Sequence, residues 1–283
     1  MNLQKLPLSF MLSLMMMFLV EGQPNTATGA NRKSLHAATI QKPDSSPLLV
    51  IEAGGHQALI GTLIFTADGR ELVSVSDDKT IRIWSVSSDG SKAELSRTIR
   101  GQIGDGRAGQ VFTAALSPSD EKGHQQWLAV GGLLAGPAED RNAIRLHDHA
   151  SGEVKALLHG HTDNVLATVF SPAGRWLASA GKDKTILIWD ISALEGQRIN
   201  KLPLVLTGHM DRITGLAWSP DGNRLASASY DGTVGLWDTI HIGQGNVHVL
   251  GRLKGHTGKV RSVAFHPDGR VLASGGQDRK IRL

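Results

Sequence analysis

Between residues 208 and 255 apolar positions alternate with small or polar ones in four short runs. "ITGLAWS" (213–219) and "LASAS" (225–229) come first, and "TVGLW" (233–237) and "VHVL" (247–250) follow. "SPDGNR" and "YDG" separate the first three, with the proline, aspartate and glycine that tight turns use. Runs of period two between such turns predict four antiparallel strands. Nothing beyond the N-terminal segment carries a 3.6-residue apolar stripe, so the chain reads as all-β.

The same pattern recurs. Gly55-His56, Gly160-His161 and Gly208-His209 each stand 28 residues, counted from the histidine, before Trp84, Trp189 and Trp237. A fourth pair, Gly255-His256, would place its tryptophan at position 284, just past Leu283, so the last unit is expected to be incomplete. His161, His209 and His256 are 48 and 47 residues apart, whereas His56 and His161 are 105 apart. That gap holds a degenerate unit. It begins near Gly101-Gln102, carries "VFTAALSPS" (111–119) and "AIRLHD" (143–148), and has His147 where the others have tryptophan.

Gly-His in front, Ser-Pro-Asp-Gly in the middle and Trp-Asp at the end resemble WD40 repeats. The resemblance implies a β-propeller of four-stranded antiparallel WD40 blades over 47–283, with four blades and most of a fifth. Its repeats lie at about 55–100, 101–152, 160–200, 208–248 and 255–283. It also implies that the outer strand of each blade precedes the Gly-His pair of the next, and "PLLVIEAGGH" (47–56) looks like such a strand. Four recurring residues are then expected as buried hydrogen-bonded sets. These are His56, Ser74, Asp78 and Trp84; His161, Ser179, Asp183 and Trp189; His209, Ser227, Asp231 and Trp237; and His256, Ser274 and Asp278.

In this family partners dock on loops that share one face. The matching positions are Gln110, Asn164, Arg212 and Lys259 before the innermost strands, and Asp77, Lys182, Tyr230 and Gln277 before the aspartates. The expected function is therefore an exported scaffold that binds protein partners. An alternative comes from "RTIRGQIGDGRAGQVFTAALSPS", which resembles an early blade of bacterial signal-peptide proteins that join WD repeats to a caspase-like peptidase domain. In that case the chain is the binding portion of a larger enzyme whose catalytic residues lie beyond residue 283.

Composition changes this picture in three places. A net charge of +4 spread over the repeats, with a single tyrosine, gives no clustered basic and aromatic footprint for nucleic acid. The absence of cysteine excludes disulfides, a lipoprotein attachment site and a thiol nucleophile. Lys5 followed by an apolar run from Leu6 to Val20 is short for a membrane span and suits a signal peptide, 1–22, with a flexible tether at 23–46. Export to the periplasm or the extracellular space is the expectation, with an uncleaved anchor as the other reading.

Other motifs invite chemistry and are better explained structurally. A Ser-His-Asp hydrolase needs one activated serine beside an oxyanion site, not four copies. Gly104-Asp-Gly106-Arg-Ala-Gly109 has dinucleotide-binding spacing but precedes a strand, not a helix. His147, His149, His159 and His161 lack cysteines or converging carboxylates. No catalysis, cofactor, metal or small-molecule substrate is expected.

Overall fold

The computed structural model describes residues 55–100, 106–119, 126–134, 136–195, 198–199 and 202–283. The segments expected as signal peptide (1–22) and tether (23–46), and most of the outer strand expected at 47–56, lie outside them. Blade one is a meander of β1 (Ile60–Phe65), β2 (Glu71–Ser76), β3 (Thr80–Val86) and β4 (Ala93–Arg100). Blade two follows with β5 (Gln110–Leu116), β6 (Trp127–Leu133), β7 (Ile144–Asp148) and β8 (Val154–Leu158). Blade three has β9 (Val165–Phe170), β10 (Trp176–Gly181) and β11 (Ile186–Asp190). A small hairpin, β12 (Leu194–Glu195) with β13 (Arg198–Ile199), precedes its outer strand β14 (Leu204–Leu206).

Blade four is β15 (Ile213–Trp218), β16 (Arg224–Ser229), β17 (Val234–Asp238) and β18 (His248–Leu253). The fifth sheet has three strands, β19 (Val260–Phe265), β20 (Leu272–Gly276) and β21 (Ile281–Arg282). Every pairing is antiparallel, and β4, β8, β14 and β18 each end shortly before the next unit opens. The structure is an incomplete propeller.

Stacking explains why the second strand of each blade is so apolar. It lies in the middle of its sheet, and in blades two, three and four a neighbouring blade stands on either side, so both faces are covered. Leu225, Ala226, Ser227, Ala228 and Ser229 of β16 are all fully buried. Alanine and serine let the sheets approach closely, while leucine and isoleucine fill the gaps. Four apolar clusters mark four junctions. Val73, Val75 and Ile83 meet Val111, Leu128 and Val130 between blades one and two. Ile144, Leu146 and Leu158 meet Val165, Leu177 and Trp189 at the next junction. Ile186 and Ile188 meet Ile213, Leu225 and Trp237 at the third, and Ala226, Ala228 and Val234 meet Val260 and Val263 at the fourth. Each large side chain so buried contributes about 1.5–3 kcal/mol. Among the described residues no buried cluster joins blade five to blade one.

One irregularity recurs in all five blades. The register of the innermost strand shifts between Ile60 and Thr62, Val111 and Thr113, Val165 and Ala167, Ile213 and Gly215, and Val260 and Ser262. Each is a bulge that leaves one residue outside the ladder and re-aims it. Those residues, Gly61, Phe112, Leu166, Thr214 and Arg261, all line the central opening.

Candidate functional site

The face formed by the loops before the innermost strands and the β2–β3-type turns is built on a repeated polar set. In the turns Asp78-Lys-Thr80, Asp183-Lys-Thr185 and Asp231-Gly-Thr233, the aspartate Oδ1 accepts both the threonine N–H and its hydroxyl, at 2.6–3.1 Å. The residue between them is forced to positive φ: 69° at Lys79, 66° at Lys184 and 85° at Gly232. Only glycine takes that conformation freely, so the two lysines are held there by the aspartate's bonds.

The other aspartate oxygen ties down the preceding loop. Nδ1 of His56, His161 and His209 lies 2.7 Å from Oδ2 of Asp78, Asp183 and Asp231. The N–H groups of Gln57, Thr162 and Met210 donate to the same oxygens at 3.0–3.2 Å. On the far side of each ring, Nε2 meets Oγ of Ser74, Ser179 and Ser227 at 2.7–2.8 Å. That oxygen also accepts the indole N–H of Trp84, Trp189 and Trp237 at 2.8–3.0 Å. With Nδ1–H donating to the aspartate, the serine hydroxyl donates to Nε2, and the ring, serine and indole of each set are satisfied. Blade five repeats the core of this, with His256 at 2.9 Å from Asp278 and 3.0 Å from Ser274.

These serines are no nucleophiles. Ser179 and Ser227 have no exposed surface, and Ser74 has 2%. The electrostatics suit a static network. Burial pushes the Asp231 carboxyl up, but hydrogen bonds from Thr233, His209 and the Met210 N–H outweigh it and set it at about 2. Asp78, Asp183 and Asp278 are lowered from the same balance. Burial depresses His209, partly opposed by Asp231 and reinforced by Arg252, so the neutral ring is favoured.

Blade two lacks the set. Leu128 pairs with His147 as Leu225 pairs with Trp237, which puts Val130 where the other blades have serine and Arg145 opposite it. His147 instead bonds the Gly152 carbonyl at 2.9 Å. His147, His149, His159 and His161 do not converge, and among the described residues no group of histidines and carboxylates is placed to hold a metal ion.

Above the network sit the candidate docking residues. The N–H groups of Asp77, Lys182, Tyr230 and Gln277 donate to the carbonyls of Leu59, Asn164, Arg212 and Lys259 at 2.8–3.0 Å, one clasp per repeat. Asp77, Lys182, Arg212, Tyr230 and Gln277 line one central opening of about 1890 Å³, larger than the ~300–1,000 Å³ of small-molecule sites. Lys259 is exposed beside them, whereas Gln110 is half-buried and accepts from Arg107 at 3.0 Å. Asn164 corrects an expectation: it is buried, 7% exposed, and offers little surface to a partner. Burial raises the Asp77 carboxyl, and nearby Arg107 opposes this only in part.

The family description "WD domain, G-beta repeat" matches residues 46–85, 152–190, 200–238 and 247–283, more than half of the chain. The chain belongs to the WD-repeat family. The longest stretch left unmatched, 86–151, contains the repeat in which Val130 and His147 replace serine and tryptophan. Similar WD-repeat segments occur in nuclear distribution protein PAC1-2 of Uncinocarpus reesii, 32% identical over 148 residues, covering 49% of this chain and 30% of that protein. Nuclear distribution protein nudF of Emericella nidulans is 33% identical over 147 residues, covering 48% and 30%. Transcription initiation factor TFIID subunit 5 of Caenorhabditis elegans is 28% identical over 160 residues, covering 49% and 24%. The chain spans less than a third of the length of these curated relatives.

Several residues escaped the sequence reading. Thr80, Thr185 and Thr233 were signalled by a repeated Asp-x-Thr. Arg252 and Arg261 had no signal of their own, because a cross-strand reach and a bulge place them. Arg252 passes over Gly208, where a Cβ would lie 2.6 Å from its guanidinium, and so comes to rest beside the His209 ring and 5.9 Å from the Trp237 ring.

Proposed function

We propose that this chain is a rigid, non-catalytic scaffold that docks protein partners on the face carrying Asp77, Lys182, Arg212, Tyr230, Lys259 and Gln277. The observation that carries the reading is the combination of pinned backbone and open side chains. Each candidate loop is clasped by a backbone hydrogen bond and by the buried histidine–aspartate pair beneath it, while Arg212, Lys259 and Gln277 remain exposed. Rigid display lowers the ordering cost of association. The buried serines support the absence of hydrolysis. Relatives named for nuclear distribution and for a multi-subunit transcription factor agree with a role in assemblies. The apolar run Leu6–Val20 supports export, which the N-terminal sequence of the mature protein checks.

Because the chain has no cysteine, one can be introduced and labelled uniquely. Gln277→Cys carrying a polyethylene glycol chain covers the proposed face, and Asp268→Cys carrying the same polymer covers the opposite one. Loss of partner capture in the first alone is expected. Equal capture by both, or loss only in the second, contradicts the assignment.

A further inference from the structure

Tyr230 is the single tyrosine of the chain, and three cations stand around its ring. The Arg212 guanidinium carbon is 5.2 Å from the ring centroid, Lys259 Nζ 4.9 Å and the Arg261 guanidinium carbon 5.6 Å. They come from two pieces of chain, Arg212 from the loop that opens blade four and Lys259 and Arg261 from the start of blade five. Arg212 is held by the clasp to Tyr230, and Lys259 accepts from Gln277 on the next blade. Arg261 is the bulged residue of β19, turned into the opening, and its carbonyl accepts the Thr214 hydroxyl at 3.0 Å. The arrangement is therefore fixed from below on both sides of the junction between blades four and five.

Its charge is poorly balanced. Arg212 faces Asp211 at 3.8 Å, but both side chains are nearly half exposed, so the pair neutralises little. The other nearby carboxylates, Asp231 and Asp278, are consumed by His209, His256 and backbone N–H groups. Arg107, Lys182, Arg279 and Lys280 add positive charge to the same opening and outnumber its carboxylates, Asp68 and Asp77. An aromatic face attracts cations without cancelling their charge, so the cluster keeps a positive potential beside an apolar ring.

We propose that this cluster docks an acidic, extended segment of a protein partner, its carboxylates bridging Arg212, Lys259 and Arg261 and an adjacent side chain lying on Tyr230. Planar guanidiniums favour forked carboxylate contacts. The inference rests on the scaffold reading and specifies the chemistry of the partner for that face.

The test is fluorescence anisotropy of the full chain with a short labelled poly-glutamate peptide, its poly-glutamine counterpart and a labelled oligothymidylate. Poly-glutamate is expected to bind with a steep salt dependence and poly-glutamine to bind weakly or not at all. Arg212→Glu with Arg261→Glu is expected to weaken the acidic peptide about tenfold or more. Arg270→Glu, in an exposed turn of the opposite face, leaves it unchanged. Should the double variant melt early, the exposed Lys259→Glu carries the same expectation with a smaller loss. Undiminished binding in these variants, an equal loss in Arg270→Glu, or tighter cluster-dependent binding of the oligonucleotide overturns the proposal. If the polymer block at residue 277 still abolishes capture, only the acidic chemistry has failed. If it does not, the scaffold reading has failed with it.

Discussion

Blades two and four are the same sheet with different fastenings. In both, the second and third strands pair through a buried leucine, Leu128 with His147 and Leu225 with Trp237. Blade four then fastens its upper loops through Trp237, Ser227, His209 and Asp231. Blade two has Val130 in the core, and His147 turns to the Gly152 carbonyl at the opposite end of the sheet. The sheet thus forms without the polar set. Apolar stacking on both faces builds the blade, and the polar set fixes where its upper loops stand.

The largest expected effect separates the two histidines. His209→Ala removes a neutral ring bonded on both sides; losing its hydrogen bond to the Asp231 carboxylate costs about 1.5–3 kcal/mol, and the orphaned Ser227 hydroxyl about 1–3 kcal/mol more. His147→Ala removes a neutral ring with one backbone bond, and about 1–3 kcal/mol is expected. Urea denaturation of both variants tests the difference; equal losses would erase it. Next in size is an exchange at the serine position. Ser227→Ala orphans the Trp237 N–H and costs about 1–3 kcal/mol. Val130→Ser puts a hydroxyl into a site without tryptophan or histidine partners and costs a similar amount, about 1–3 kcal/mol. A stabilising Val130→Ser would mean that blade two retains a hidden partner for it.

The smallest effect is the dependence on pH. His209 and His147 are both depressed, chiefly by burial, so between the unfolded value near 6.5 and their lowered values the unfolded chain binds more protons. Stability is then full above about pH 6.5 and declines as pH falls below it. Asp231 adds a second loss as pH drops from about 3.8 toward its folded value of about 2. Denaturation midpoints across this range check the sign, and a chain more stable at pH 5 than at pH 8 contradicts it. His209→Ala is expected to shrink the upper limb without abolishing it, because His147 remains.

Much of this was legible in the residues. Period-two runs and Ser-Pro-Asp-Gly turns located the strands of blade four, and the constant separation of histidine and tryptophan located the polar sets. The turn at 219–222 follows the rule directly: Ser219 and the Asn223 N–H both donate to Asp221, and Gly222 takes φ 71°. What stayed hidden depends on three dimensions. The bulge that turns Arg261 inward changes no residue type. Arg252 reaches His209 because Gly208, far from it in sequence, has no side chain in its way. Val130 took the serine position unnoticed because the loop after β6 is longer and broke the spacing count. Asn164 read as surface from its position in the repeat, although the fold buries it where it leaves Arg212 exposed in the equivalent place.

The central claim is that the buried sets fasten the docking loops to an apolar scaffold that stands without them. Amide hydrogen exchange in wild type and His209→Ala tests it most directly. The N–H groups of Met210, whose acceptor is Asp231, and of Thr233 report on the fastening, while those of β15 and β16 report on the sheet. The account predicts that the substitution strips protection from 209–212 and 230–233 and leaves the strand amides protected. Protection lost through the whole blade, or retained at Met210, would contradict it.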